Sequence, residues 1–275
     1  MFAKLASILL FAGASASPGQ DAVVLRPSTY STTQGGEVRV AASAPAGPQT
    51  DWPADIEWFF VRLAGTQENR GPGDGPAPAR GQPHRLSLGL PGAAMIGLDL
   101  KAATQIWPPA ALSTFAARAG TEDPCAKSDA RVQLLRSATT LVRVSDADGK
   151  PAADSTPTSK SGQQVEIRPL MDPTSMLPGG DLPVRLYMKG TAAGGGVISA
   201  THLESNTTQQ ATADSGGIAL LHIERPGEYR LELRVLRPLA ESDAAWQAGI
   251  ATLTFEVPKP AEPALEAAPE KEDKP

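Results

Sequence analysis

Along the second half of this chain, short apolar segments recur at near-regular intervals, each stopped by glycine or proline. Val165-Glu166-Ile167 opens the series, followed by Leu182 to Tyr187, Gly196 to Ala200, Gly217 to Ile223, Tyr229 to Leu236 and Ile250 to Val257. Runs this short cannot bury a helical face, and alternation of apolar and polar residues within them has the period of a half-buried strand. The breaks at Asp214-Ser215-Gly216-Gly217 and Pro226-Gly227 are turn chemistry. Strands at such spacing predict a β-sandwich over residues 163–257.

The first half follows the same rule with less regularity. Ala22 to Leu25, the alternating Glu37 to Ala41, Ile56 to Leu63, Arg85 to Leu90 and Met95 to Leu100 read as strands, and Trp58, Phe59, Phe60 and Val61 make the third of these a central one. Ala110 to Ala119 has no glycine or proline and ends at Gly120, so one short helix with a glycine cap is expected there. Residues 65–83 hold Gly71-Pro72-Gly73 and Gly75-Pro76 and predict a loop, whereas Ala130 to Ser145 is an extended segment. With 26 glycines and 26 prolines in 275 residues, close to one residue in five against about 12% on average, a helical protein is excluded. The fold expected is mainly β: two β-sandwich-like domains at 17–145 and 163–257, one short helix in the first, a linker at 146–162, and a disordered Pro/Ala/Glu/Lys tail at 258–275.

Met1 to Ala16 has Lys4, an apolar run from Leu5 to Ala12 and the small residues Ala14-Ser15-Ala16, the layout of a cleavable signal peptide. Cleavage near Ala16 leaves a periplasmic or secreted protein without a transmembrane segment, since no later run reaches the roughly 20 apolar residues of a membrane span. The formal net charge is −5, which disfavours nucleic acid as a partner, because phosphate binding needs a basic surface. One cysteine, Cys125, allows no internal disulfide.

Residues with chemical potential are few. His202 and His222 fall in neighbouring strand segments and could face each other as a two-histidine metal site completed by Glu204 or Glu224; the alternative is that they are unrelated strand residues facing solvent. Asp146-Ala147-Asp148-Gly149 has the centre of a calcium loop, but Val144 and Ser155 stand where acids are required, so it reads as a turn. No Gly-x-Ser-x-Gly, His-Glu-x-x-His or Walker-type run occurs. Asn206-Thr207-Thr208 fits a glycosylation acceptor but reads more simply, with Gln209-Gln210, as a solvated hairpin edge. Trp52, Trp58, Trp107 and Trp246 are the residues that could line a sugar-binding face, with at least two expected in cores.

Gly162-Gln163-Gln164-Val165-Glu166-Ile167-Arg168-Pro169, Asp172-Pro173, Leu182-Pro183-Val184-Arg185-Leu186, Asp214-Ser215-Gly216-Gly217, Arg225-Pro226-Gly227-Glu228-Tyr229 and the closing Trp246 with Ala251 to Val257 follow one another in a familiar order. So do Leu25-Arg26-Pro27-Ser28-Thr29-Tyr30, Gly36-Glu37-Val38 and the segment Leu112 to Gly120. In these features the chain resembles an exported bacterial family with a domain of unknown function, whose members are often labelled periplasmic components of nickel or cobalt uptake. The resemblance implies a transthyretin-like or immunoglobulin-like last domain and a place beside a transporter. The family opens on a His-Asp pair and a tryptophan, where this chain has Asp21, Ala22 and Val24, so the histidine that would capture a metal is not supplied.

The expected role is therefore a non-catalytic periplasmic binding or accessory protein, associated with an envelope protein or membrane transporter and needing no cofactor, a divalent metal ion being the one candidate ligand. A structural module whose sandwich edges and acidic tail contact an envelope protein or polysaccharide is the alternative. A carbohydrate-active enzyme with paired carboxylates is the third.

Overall fold

The computed structural model describes residues 22–43, 53, 55–69, 83–239 and 245–260. The expected signal peptide, Trp52, most of the 65–83 loop and residues 261–275 of the expected tail lie outside them.

In the first half the strands are β1 (Val24–Pro27), β2 (Ser31–Thr33), β3 (Glu37–Ser43), β4 (Ile56–Leu63), β5 (Thr66–Asn69), β6 (His84–Ser87), β7 (Gly92–Leu100) and β8 (Ala103–Trp107), then helix α1 (Pro109–Arg118) and β9 (Ala130–Ser145). The second half has β10 (Val165–Pro169), β11 (Gly180–Met188), β12 (Thr191–Ala192), β13 (Val197–His202), β14 (Thr207–Thr212), β15 (Ile218–Ile223), β16 (Gly227–Pro238) and β17 (Trp246–Val257). The fold is mainly β, as the alternation predicts. β5 lies inside the expected 65–83 loop, where it pairs back onto β4.

The hub is β9, 16 residues long and rich in Val and Thr, which suit a pleated, packed surface. One edge pairs in parallel with β17 over Val132 to Thr140 and then with β2 from Arg143. Its other edge pairs antiparallel with β8 and then β7. One sheet therefore runs β14-β13-β16-β17-β9-β7-β4-β5 through both halves of the chain. Each half still forms a sandwich on it: β1-β3-β6 covers one face, and β10, β11, β12 and β15 cover the other.

Alternation along β9 shows how. Ala138, Val142 and Val144 join the core beneath β1-β3-β6, while Leu135 and Leu141 join the core beneath β10 and β11. β7 is covered on both sides, so all nine of its residues are buried and its sequence lacks alternation. β1 meets β17 through side chains: the buried hydroxyls of Thr252 and Thr254 donate to the carbonyls of Val23 and Leu25 at 2.6 and 2.7 Å.

Helix α1 begins with proline in its first turn and ends in a Schellman motif, Gly120 N to Ala117 O and Thr121 N to Ala116 O. Gly120 has φ +68°, and a Cβ there would run into Val197. Leu112, Phe115 and Ala116 bury the helix against β9, β16 and β17.

Candidate functional site

Two-residue periodicity in β13 and β15 positions the two histidines, one buried and one exposed. His202, at the end of β13, is 6% exposed and lies against the Tyr229 ring at 5.0 Å. Its Nε2 faces the carbonyl of Pro226 at 3.1 Å, so that nitrogen must carry the proton, and Nδ1 accepts from Ser205 N at 3.3 Å with Ser205 Oγ at 2.8 Å. Both nitrogens are spent on holding the 203–206 turn and the β15–β16 corner. His222, on β15, is exposed and bonds Asp181 of β11 through Nδ1 at 2.8 Å.

The two rings line one open groove of about 220 Å³ with Thr207, Thr208, Gln209, Glu224 and Tyr229. Among the described residues no three His, Cys, Asp or Glu side chains converge as metal ligands. Glu204 lies beside His202 near Gly227, and Glu224 lines the groove. The Gln209 side chain bonds both the N–H and the carbonyl of His222, and Asp214 Oδ1 accepts from Ile218 N at 2.9 Å. These side chains bond backbone groups of Ile218 and His222 on the edge of β15 away from β11.

The segment Ser161 to Glu166, at the start of the second half, is a buried polar clasp. Gln163, 3% exposed, donates through Nε2 to Leu98 O and Ala138 O at 2.9 and 3.0 Å and accepts from Thr139 and Ser161 hydroxyls at 2.6 and 3.1 Å. Glu166, 2% exposed, accepts from Ser161 N and Gly162 N. Asp99 of β7, 4% exposed, accepts from Ser137 Oγ at 2.5 Å and Gln164 N at 3.1 Å. Burial pushes its carboxyl up to about 6, with Glu57 and Glu166 adding to the rise and the two hydrogen bonds opposing it. Gly97 completes the packing, since a Cβ there would meet the Phe60 ring and Gln163. Residues 146–162 thus do more than link: Thr156 and Pro157 are buried, and Asp154 accepts from Ala93 N at 3.3 Å.

The third feature is the outer face of the β10-β11-β15 sheet. Leu182, Val184 and Leu186 point inward with Val165, Ile167, Ala219, Leu221 and Ile223, so the intervening residues face out. Register lines these up in rows: Glu166 with Tyr187; Arg168 with Arg185 and Ile218; Pro183 with Leu220; Asp181 with His222. Leu170 joins the third row, its N–H donating to Pro183 O at 2.9 Å. Of the six large hydrophobic residues exposed among those described, Leu170, Met171, Leu177 and Leu220 belong to this face or the loop that rims it, at 37, 40, 67 and 57% exposure. Only burial and register reveal this face. Within the sequence, Leu170 and Leu220 are as apolar as their inward neighbours.

The remaining candidates have structural roles. Trp107 is buried against Phe115 at 5.1 Å, Trp58 packs on Phe60 at 4.6 Å, and Trp246 packs on the helix core, so these three form no sugar-binding face. Asp146 Oδ1 accepts from Asp148 N and Lys150 N, making an ordinary turn. Cys125 is exposed, in the loop after α1. Glu228 and Glu256 stand directly opposite on β16 and β17, and Glu256 lines a cavity of about 340 Å³.

A family model described as "Domain of unknown function (DUF4198)" matches residues 21–237. No curated protein matches the chain. Among solved structures, the D0-D1 domain of intimin is 15% identical at a TM-score of 0.20, over 86% of this chain and 97% of that one. Murine CEACAM1b is 9% identical at a TM-score of 0.20, over 86% and 98%.

Proposed function

The chain belongs to the family of the domain of unknown function DUF4198, and we propose that it is an exported, non-catalytic accessory protein that docks on a component of the cell envelope. The observation that carries this reading is the exposure of Leu170 and Leu220 on the outer face of the β10-β11-β15 sheet, together with Met171 and Leu177 in the loop that joins β10 to β11. Exposed apolar side chains gathered on one face, rimmed by charges, mark an interaction surface, whereas single ones are ordinary. The buried acids support the same reading, because Asp99 and Glu166 accept hydrogen bonds that hold the clasp and so are withdrawn from acid–base work. The apolar stretch of residues 5–12 supports export.

Co-sedimentation of the protein with isolated envelopes tests the docking face. Leu177→Asp and Leu220→Asp should each lose most of the association while keeping the wild-type thermal transition. Association equal to wild type would exclude this face. Titration with nickel, cobalt, copper and zinc addresses metal uptake, for which the residues offer His222 but not His202; a site tighter than high micromolar, lost in His222→Ala, would restore that role.

A further inference from the structure

We infer that the outer face of the β10-β11-β15 sheet docks on a membrane surface bearing anionic lipid headgroups. The inference rests on the docking reading above and names the partner of that face.

Basic side chains gather on this face although the chain as a whole is acidic. Arg168 and Arg185 lie directly opposite each other on β10 and β11, a like-charge cross-strand pair that costs stability rather than adding it. Among the described residues no ion pair joins either of them, Lys160 or Lys189 to a carboxylate. Arg185 Nε is buried without a hydrogen-bond partner, while Arg168 Nε donates to Thr158 O at 2.6 Å. Lys160 lies over the Tyr187 ring at 4.7 Å, in the next row of the same face, and its Nζ approaches Gly190 O, next to Lys189.

The acids nearby are already committed. Glu166 accepts from Ser161 N and Gly162 N, Asp181 bonds His222, and Asp172 accepts from the N–H and hydroxyl of Thr174. In a protein of formal net charge −5, Arg168, Arg185 and Lys160 thus share one face without a direct ion pair among the described residues.

Two rows away from Tyr187 come the apolar residues, and their arrangement favours lipid over an acidic peptide. Leu220, Pro183 and Leu170 cross the sheet next to the arginine row, and Met171 and Leu177 extend the apolar band into the rim loop. Leu177 is the most exposed of them at 67%. Protruding aliphatic side chains beside long basic ones match a headgroup boundary, where the apolar tips enter the acyl region and the cations remain among phosphates. The clasp and the shared sheet hold the face to the rest of the protein, so the contact orients the whole molecule.

Flotation with vesicles tests this, using phosphatidylglycerol mixed with phosphatidylcholine against phosphatidylcholine alone. Wild type should bind the anionic vesicles, weaken as salt rises, and bind the neutral ones poorly. Arg168→Gln and Arg185→Gln should each lower partition about five-fold, the factor for one basic residue at an anionic surface. Arg185→Lys, which keeps the charge, should retain binding, and Leu177→Ser should reduce it without altering the fold. Equal binding to both vesicle types, no binding to anionic vesicles, or indifference to both arginine changes would overturn the lipid assignment. If vesicles fail while Leu177→Asp still abolishes envelope association, the docking face stands and its partner is a protein. If neither assay responds to the face, both readings fall.

Discussion

At Asp99 two demands conflict: a carboxylate that bridges the halves of the molecule must do so in a site nearly closed to water. Burial dominates and raises its pKa to about 6. The folded protein therefore binds this proton more tightly than the unfolded chain, so the group's stabilising contribution is full below about pH 4 and is lost as pH rises through 6. A shift of about two units corresponds to roughly 3 kcal/mol. Asp99→Asn removes this titration, and the stability difference between variant and wild type, measured by denaturation across pH 4 to 7, should move in the variant's favour as pH rises. A difference independent of pH would contradict the assignment. Gln163→Ala is the sharper structural test, because it strips partners from two carbonyls and two hydroxyls at once. A loss of about 3 kcal/mol or more is expected from buried groups left unpaired. Sequence made Gln163 visible as part of a motif, but its role was hidden, since its partners Leu98 and Ala138 are 65 and 25 residues away.

At the scale of elements, local chemistry was a good guide wherever one face of a strand is buried. The alternation in β3, β15 and β16 and the Gly120 cap announced those elements because period and cap geometry depend on neighbours in sequence. β2, β5, β8 and β12 were hidden: short, they exist because a longer strand offers them an edge. The same limit applied to His202 and His222, which strand order made neighbours and hydrogen bonding assigned to separate tasks. The threonine ties between β1 and β17 are the element-level prediction. Thr254→Val keeps the shape and removes the donor to Leu25 O, and should cost about 1 to 3 kcal/mol through the orphaned buried carbonyl. A stability equal to wild type would mean that the carbonyl finds another partner.

For the whole molecule, the decisive feature is the β9–β17 ladder, which joins the first half to the last strand of the second. Composition predicts a linker at residues 146–162, but parallel pairing between segments more than 100 residues apart leaves no local mark. One sheet and one clasp shared by both halves predict a single cooperative unfolding transition in calorimetry, with calorimetric and van't Hoff enthalpies equal. Two separated transitions would show that the halves unfold independently. The rigid body that results presents the β10-β11-β15 face outward. The most direct test of that face is photo-crosslinking in intact cells from p-benzoylphenylalanine placed at Leu220, with Ile106, 58% exposed on β8, as the control. Discrete adducts from position 220 and none from position 106 are predicted, their masses distinguishing lipid from protein; silence at 220, or the same adducts from both positions, would contradict docking through this face.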